Sequence, residues 1–170
     1  DKQWERYAYF GSQNAERRLT LEPASGMTVS DIRARIVEKG YQIVVVDYLQ
    51  LISSKGSSRY EQVTNITLAL HELAQSLKVT VVALSQVSRS DDDRTPRNSD
   101  LRESGQLEQD ADVIIFLKLR NQAKPEGPRR LFVSKYKEGK RFSTNLSFAG
   151  ETQTFAWISE VEAKAFDAAC

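Results

Sequence analysis

The sequence predicts an α/β fold in which a mostly parallel sheet is flanked by helices and followed by antiparallel strands at the C-terminal end. Short apolar runs alternate with amphipathic helical segments as far as residue 117, the pattern of strand-helix-strand units. Beyond residue 127, β-like segments follow one another with glycine turns between them, as in antiparallel hairpins. The length of 170 residues suits a single globular domain.

Composition excludes several classes of protein. The single cysteine, Cys170, cannot form an internal disulfide, and with the single histidine, His71, it argues against a zinc site of nitrogen and sulfur ligands. The apolar runs are too short to span a bilayer and the charged N-terminus has no signal-peptide pattern, so we expect a soluble, cytoplasmic protein with no membrane partner. The formal charge of +1 identifies no partner, and any anion binding must come from local clusters.

The first elements follow from spacing and capping residues. The spacing predicts a helix over Asp1 to Arg18 and a short strand from Arg18 to Glu22. Thr28 is a suitable N-cap for the next helix, which Gly40 ends. The run Ile43 to Val46 is continuously apolar, which predicts a strand buried on both faces.

A longer helix and two more buried strands complete the first part. After a serine and glycine loop at residues 53–58, a helix is predicted with apolar positions at Tyr60, Val63, Ile66, Leu70, Leu73 and Leu77. The second buried strand covers Val79 to Leu84, and a polar loop covers Ser88 to Asn98. A short acidic helix around Glu108 then precedes a third buried strand, Val113 to Leu117.

The C-terminal part changes to a β pattern. We predict an antiparallel extension of the sheet from Arg130 to Tyr136, Thr144 to Phe148 and Thr154 to Ile158. We expect the domain to occupy residues 1–158, and residues 159–170 to form a loosely held helix or a tail.

Polar side chains follow two of the predicted buried strands. An α/β sheet binds ligands at the carboxyl ends of its strands, and Asp47 lies there. In nucleoside-triphosphatases such a carboxylate orients Mg²⁺, usually through water; the alternative is a carboxylate that caps the following turn. Ser85 and Gln86 end the next strand, where an amide can sense a terminal phosphate or simply be a strand-end polar group.

Three strings resemble one protein family. They are VVVDYLQLI (Val44 to Ile52), ALSQVSR (Ala83 to Arg89) and NSDLRESGQLEQDADVIIFL (Asn98 to Leu117), and SGMTVSDIRARI (Ser25 to Ile36) agrees with them. Together they resemble the motor domain of DnaB-type replicative helicases, a RecA-like hexameric ATPase, from about Trp4 to about Trp157. RecA-type recombinases share the sheet and its acid but are not expected to carry the third string, so a recombinase fragment is the weaker alternative.

The resemblance implies roles for five residues. Asp47 is the Walker B acid acting on Mg²⁺, and Gln86 contacts or senses the γ-phosphate of ATP. Arg102, Glu103 and Gly105 fall on the loop that lines the central channel in this family and holds single-stranded DNA. Guanidinium groups bind phosphate strongly, and glycine lets a backbone N–H approach closely.

Local sequence allows another role for Arg102. A salt bridge to Asp100 or Glu103 would occupy its guanidinium without DNA. The complete string favours the DNA role.

The family also carries a Lys-Gln-Arg element whose cations reach the neighbouring subunit's ATP. The corresponding residues here are Lys135, Tyr136 and Lys137. Lys135 matches, whereas Lys137 keeps the charge but lacks the planar fork of arginine; nearby Arg141 is a possible substitute. The alternatives for the basic cluster from Arg129 to Arg141 are a solvated hairpin face or a direct contact with nucleic acid.

A phosphate-binding loop is absent from the sequence. The superfamily needs a glycine-rich loop followed by Lys and Ser or Thr, but the only Gly-Lys pair, Gly139-Lys140, is followed by Arg141. The resemblance implies that Asp1 aligns after that loop, so the N-terminal part of the RecA-like domain is missing from this chain. We therefore expect part of an ATP-dependent 5′ to 3′ DNA helicase that has no ATPase activity by itself.

The expected partners follow from the same resemblance. They are single-stranded DNA, further copies in a hexameric ring, and a primase and helicase loader bound through regions outside this chain. The alternative function is a non-catalytic module that binds single-stranded DNA or docks on an intact hexamer.

Overall fold

The computed structural model describes residues 19–86, 96–98, 101 and 105–168. The helix predicted over Asp1 to Arg18 therefore lies outside the described residues. Residues 19–22, the described part of the predicted short strand, have no regular structure, so that prediction is wrong there. Leu19 and Leu21 are exposed, and the described residues provide no neighbouring strand with which they could pair.

Helix α1 (Val29–Lys39) begins and ends at the predicted caps. The Thr28 hydroxyl accepts a hydrogen bond from Asp31 N at 3.3 Å, and the Asp31 carboxylate accepts one from Thr28 N at 2.8 Å. Gly40 has a left-handed φ of 68° and its N–H donates to Ile36 O at 2.8 Å. These short-range contacts explain why the boundaries were predictable.

A parallel pair of strands follows, β1 (Ile43–Val46) and β2 (Thr80–Ala83), with Val44 opposite Val81. A 3₁₀ turn (Leu49–Leu51) and helix α2 (Arg59–Leu77) connect them. The helices cover one face of the pair and form a core of Ile32, Ile36, Val46, Leu49, Ile52, Ile66, Leu70 and Leu73. Tyr60, predicted on the apolar stripe of α2, is instead exposed.

The prediction that the strands are buried on both faces is wrong. On β1, Ile43 and Val45 keep 65% and 62% of their surface exposed, and on β2 Val82 keeps 46%. The physical reason is that α1 and α2 pack on the other face, where Val44, Val46 and Val81 lie. A continuous apolar run shows that both faces of a strand can be buried. It does not show whether an element packs on each face.

The remaining strands form an antiparallel sheet in the order β3-β4-β5-β6. Helix α3 (Gly105–Asp110) leads into β3 (Val113–Leu119), and β4 (Arg129–Tyr136), β5 (Phe142–Ala149) and β6 (Thr154–Ile158) follow. The antiparallel C-terminal strands are confirmed. Among the described residues β3 pairs only with β4, so the strands make two sheets rather than one extended sheet.

Strand β3 also departs from the predicted burial on both faces. Ile114 and Phe116 are buried, whereas Val113, Ile115 and Leu117 are exposed. This alternation is normal for antiparallel strands, because neighbouring side chains point to opposite faces and only one face of the strand is covered.

The C-terminal segment is a helix, α4 (Glu160–Ala168), and it is firmly attached rather than loose. Arg120 Nη2 donates to Glu160 Oε1 at 2.7 Å and Arg120 Nε donates to Asp167 Oδ2 at 2.6 Å. Asn145 Nδ2 donates to Glu160 Oε2 at 2.8 Å, and Lys124 Nζ donates to the main-chain oxygen of Asp167. Hydrogen bonds from Arg120 and Asn145 lower the pKa of Glu160 to about 2.

Candidate functional site

Asp47 lies at the carboxyl end of the parallel pair. It directly follows Val46, the last residue of β1, and it is exposed. Two backbone hydrogen bonds of 2.9 Å, from Leu84 N to Val46 O and from Leu49 N to Leu84 O, hold the ends of the two strands together. The carboxylate is therefore presented to solvent from a fixed backbone, at the edge where α/β sheets bind ligands.

A polar group that sequence reasoning left without a role supports this edge. Gln50 is half-buried on the 3₁₀ turn, and its Nε2 lies 3.4 Å from Ser85 Oγ on the segment that follows β2. Gln50 Oε1 is buried without a hydrogen-bond partner in the described residues. Arg59 Nη2 donates to Gln50 O at 2.6 Å and ties the turn to α2. The only sequence feature that could have pointed to Gln50 is its position as a polar amide between two leucines, Leu49 and Leu51.

The chemistry of this edge fits Mg²⁺ in part. Asp47 supplies a carboxylate, and Gln86, exposed two residues beyond Leu84, supplies an amide oxygen. The described residues contain no group of three or more His, Cys, Asp or Glu side chains able to hold a metal. Mg²⁺ commonly takes one or two carboxylates and completes its shell with water and phosphate oxygens, so a single carboxylate suits it when nucleotide is present.

The alternative role for Asp47, a cap for the following turn, has little support. The N-cap of the 3₁₀ turn is Tyr48, which makes no side-chain capping hydrogen bond. The peptide between Asp47 and Tyr48 is cis.

Of the three residues predicted on a DNA loop, only Gly105 is described. Arg102 and Glu103 lie outside the described residues, as do both partners of the alternative salt bridge. Gly105 is the first residue of α3, it is exposed, and a Cβ built on it would meet nothing within 4 Å. The fold of the chain therefore does not itself require glycine at this position.

The two lysines at the end of β4 are engaged with the chain's own atoms. Lys135 Nζ donates to Glu108 O at 2.6 Å and to Gln109 O at 3.0 Å, at the C-terminal end of α3. Lys137 Nζ lies 3.1 Å from Asp112 Oδ1 in a pair whose side chains are 64% and 65% exposed. An exposed pair of this kind contributes little stability, whereas Lys135 satisfies two helix carbonyls.

Other cations of the basic cluster divide into two groups. Arg129 lies over the Phe148 ring at 4.7 Å, and Arg130 lies over the Phe132 ring at 5.2 Å. Arg129 is half-buried and Arg130 is exposed, so these ring contacts leave the interpretation of the cluster as a solvated hairpin face open. Arg141 is exposed in the connection between β4 and β5.

The structure therefore groups the predicted residues into separate regions. Asp47 and Gln86 follow the joined ends of β1 and β2. Lys135 and Lys137 contact α3 and the residue that precedes β3, at the other sheet.

A family model for the DnaB-like helicase C terminal domain matches residues 1–157. The chain is 34% identical over 174 residues to the replicative DNA helicase DnaB of Leifsonia xyli subsp. xyli, a match that covers 95% of this chain and 38% of that protein. It is 43% identical over 123 residues to the probable plasmid replicative DNA helicase of Chlamydia muridarum, covering 70% of this chain and 27% of the relative. The chain thus spans less than half the length of these relatives.

Solved structures give the same assignment of fold. A DnaB-like replicative helicase, described with its interactions with primase, and the ATPase domain of the G40P protein each superpose with a TM-score of 0.82 at 30% identity over 94% of this chain. The match covers 42% of the first and 61% of the second. A KaiC-like protein of Pyrococcus horikoshii, at 15% identity and a TM-score of 0.57, shares the fold alone. The RecA-like α/β prediction is confirmed. None of the helices in the described residues has the length and apolar character needed to cross a membrane.

Proposed function

The chain belongs to the family of DnaB-like helicase C-terminal domains and is part of a DnaB-like replicative helicase, and on this premise we propose that it contributes to ATP-driven 5′ to 3′ unwinding of DNA. The observation that carries the proposal is the position of Asp47 and Gln86, exposed beyond two strand ends that backbone hydrogen bonds hold together.

At this edge we assign Asp47 to hold Mg²⁺, through water, and Gln86 to contact the γ-phosphate of ATP. When bound, Mg²⁺ offsets the negative charge on the phosphate oxygens during phosphoryl transfer. The contact between Gln50 and Ser85 supports this assignment, because it fixes the 3₁₀ turn against the segment that carries Gln86. The chain itself would orient these two side chains, because backbone hydrogen bonds hold the ends of β1 and β2 together.

Single-stranded DNA is the proposed ligand of the loop that contains Arg102, Glu103 and Gly105. The guanidinium of Arg102 would bind a phosphate, and the open space around Gly105 would let the DNA backbone approach the main chain there. Glycine is not needed there for packing, which is consistent with a requirement imposed by a ligand.

In a hexameric ring, Lys135, Lys137 and Arg141 are proposed to reach the ATP of a neighbouring subunit. Lys137 would give up only an exposed pair with Asp112, and Arg141 offers the planar fork that suits a phosphate in its transition state. Lys135 would have to leave two carbonyls of α3, so its transfer is the costliest of the three.

The chain alone is expected not to hydrolyse ATP, because its sequence lacks the glycine-rich loop that cradles the β and γ phosphates. Primase and a helicase loader would bind through other regions of the longer protein, in the cytoplasm.

The DNA part of the proposal is tested by filter binding of the chain to single-stranded DNA at several salt concentrations. Arg102→Ala should weaken binding and reduce the slope of log affinity against log salt by about 0.7, as expected for one lost phosphate contact on a single strand. Lys137→Ala should leave both quantities unchanged. Affinity that does not depend on salt would exclude this role.

A second candidate is a non-catalytic module that uses the basic hairpin formed by β4 and β5, together with the channel loop, to hold single-stranded DNA or to dock on an intact hexamer. The exposure of Arg141 between β4 and β5 favours it. In that case Arg141→Ala and Lys137→Ala, as well as Arg102→Ala, should reduce the slope of log affinity against log salt.

A further inference from the structure

The connection between β4 and β5 carries two of the cations proposed to act on a neighbouring subunit, and strand pairing does not fix its shape. It comprises residues 137–141, all of them exposed, and includes Lys137 and Arg141. The last of the described pairs between the two strands is Val133 with Phe142, so the end of β4 extends beyond the ladder with β5. Contacts outside that ladder therefore hold the connection.

One end of the connection is anchored on the residue that precedes β3. Lys137 N donates to Asp112 O at 2.9 Å, and Lys137 Nζ lies 3.1 Å from Asp112 Oδ1 in an exposed pair that contributes little stability. Within the connection, Gly139 N donates to Tyr136 O at 3.4 Å, which is long for a hydrogen bond. These contacts fix the start of the connection more firmly than its middle.

The ring of Tyr136 lies directly on the main chain of Gly139. A Cβ built on Gly139 would lie less than 3.0 Å from three atoms of that ring, closer than real Cβ atoms approach. The described glycines with a left-handed φ do not include Gly139, so its backbone conformation does not require glycine. Glycine is needed here because the ring occupies the space that a side chain would fill.

We propose that Tyr136 is a positioning residue: its ring, seated on Gly139, holds the connection in the shape from which its cations act on a neighbouring subunit's ATP. This inference rests on the proposed role of Lys137 and Arg141 in ATP hydrolysis. Lys137 depends on such support more than an arginine would, because its ammonium is a point charge on a flexible stem without a planar fork to orient it. A backbone that is held beforehand loses less entropy when the cation is immobilised on phosphate.

Packing alone is the competing explanation for this contact. Tyr136 keeps 44% of its surface exposed, so its ring supplies only part of the stabilisation that a fully buried aromatic side chain gives. If packing were its only role, loss of the ring would lower ATP turnover in every background through instability. If Tyr136 acts through the two cations, its loss has no further effect once they are removed.

The test measures steady-state ATP turnover by a replicative helicase that contains this chain. Tyr136→Gln, which introduces the family's residue, should lower kcat by about three- to tenfold, less than the roughly 100-fold that a misplacement of about 1 Å can cost. KM for ATP should stay within about twofold, because the cations are proposed to act in the transition state. Tyr136→Phe keeps the ring and should leave kcat within about twofold of the wild type. Tyr60→Gln removes a tyrosine that is 57% exposed on α2 and is the matched control, which should leave kcat unchanged.

Two combined variants make the result specific. In a background of Lys137→Ala with Arg141→Ala, Tyr136→Gln should lower kcat no further, and a further loss there would overturn the proposal. Gly139→Ala should lower kcat by itself, since its methyl group displaces the ring, but should add nothing to Tyr136→Gln. Additive losses at these two positions would also overturn the proposal. Thermal unfolding of each variant identifies any loss that comes from general instability.

A measurement without ATP tests the contact itself. In NMR spectra of the 170-residue chain, the Gly139 Hα resonances should be shifted upfield by the Tyr136 ring and should show nuclear Overhauser effects to its protons. Both signals should persist in Tyr136→Phe and vanish in Tyr136→Gln. If the wild type lacks them, the contact and the proposal are wrong.

The two measurements together distinguish failure of the positioning role from failure of the proposed function. If the NMR signals are present but Lys137→Ala with Arg141→Ala leaves kcat unchanged, the role of these cations in ATP hydrolysis is wrong, and the positioning role falls with it. If that double variant lowers kcat and Tyr136→Gln does not, only the positioning role of Tyr136 is wrong.

Discussion

The acidic edge of the parallel pair and the basic end of the antiparallel sheet differ in how their functional groups are occupied. Asp47 and Gln86 are exposed beyond the strand ends, whereas Lys135 and Lys137 already contact atoms of their own chain. The two side chains of the acidic edge are thus already accessible to a ligand. If Lys135 and Lys137 reach the ATP of a neighbouring subunit as proposed, they must first leave these contacts.

The largest expected effect concerns the acidic edge. In a replicative helicase that contains this chain, Asp47→Asn should lower steady-state ATP turnover by about 10- to 100-fold, because the amide orients metal-bound water less well than the carboxylate. Glu151→Gln, which alters an exposed acid on the turn before β6, is the control and should change turnover little. Equal losses of ATP turnover in the two variants would show that the effect of Asp47→Asn is not specific to the acidic edge.

A second prediction concerns the attachment of α4 to the antiparallel sheet. The side chain of Arg120 is only 15% exposed and bridges two carboxylates, so Arg120→Ala should lower the free energy of unfolding by about 2 kcal/mol in urea titrations. Lys164 also faces Glu160, at 4.0 Å, but is 71% exposed, and Lys164→Ala should change stability by less than about 0.5 kcal/mol. A similar loss in both variants would show that α4 is held by something other than the Arg120 bridge.

The pH dependence of this attachment has a definite sign. The pKa of Glu160 is lowered to about 2 from its ordinary value of 4.5, so its stabilising contribution is complete above pH 4.5 and is lost as the pH falls towards 2. The difference in unfolding free energy between the wild type and Glu160→Gln should therefore shrink across that interval. A difference that stays constant from neutral pH to pH 2 would contradict the lowered pKa.

The smallest expected effect on stability is at Gly105. Since a Cβ there meets nothing within 4 Å, Gly105→Ala should leave the melting temperature unchanged or slightly higher, as alanine favours a helix. If the glycine serves DNA, the same variant should bind single-stranded DNA more weakly in a filter assay. Unchanged affinity would remove Gly105 from the proposed DNA loop.

Local signals predicted a large part of the fold. Thr28, Asp31 and Gly40 set the ends of α1 through contacts within a few residues, and sequence patterns are sensitive to such contacts. The attachment of α4 was missed because Arg120 precedes Glu160 by 40 residues. Likewise, the exposed faces of β1 and β2 depend on which elements pack nearby, and an apolar run does not specify this.

In the candidate site, too, some features could be predicted from nearby residues, whereas others depend on residues distant in the sequence. Asp47 and Gln86 could be placed at one edge, because consecutive parallel strands end on the same side of a sheet. The partners of Lys135 could not be predicted, since they are main-chain oxygens of α3, 26 and 27 residues earlier. The role of Gln50 depends on a turn whose geometry brings it to Ser85, and no residue pattern identified that contact.

The most direct measurement of the central claim is ATP hydrolysis by the 170-residue chain in the presence of Mg²⁺. The claim is that the chain carries the strand-end acid of a helicase motor but no phosphate-binding loop. We predict turnover indistinguishable from the background without protein, and no difference between the wild type and Asp47→Asn. Turnover that is clearly above background and lost in Asp47→Asn would contradict the claim.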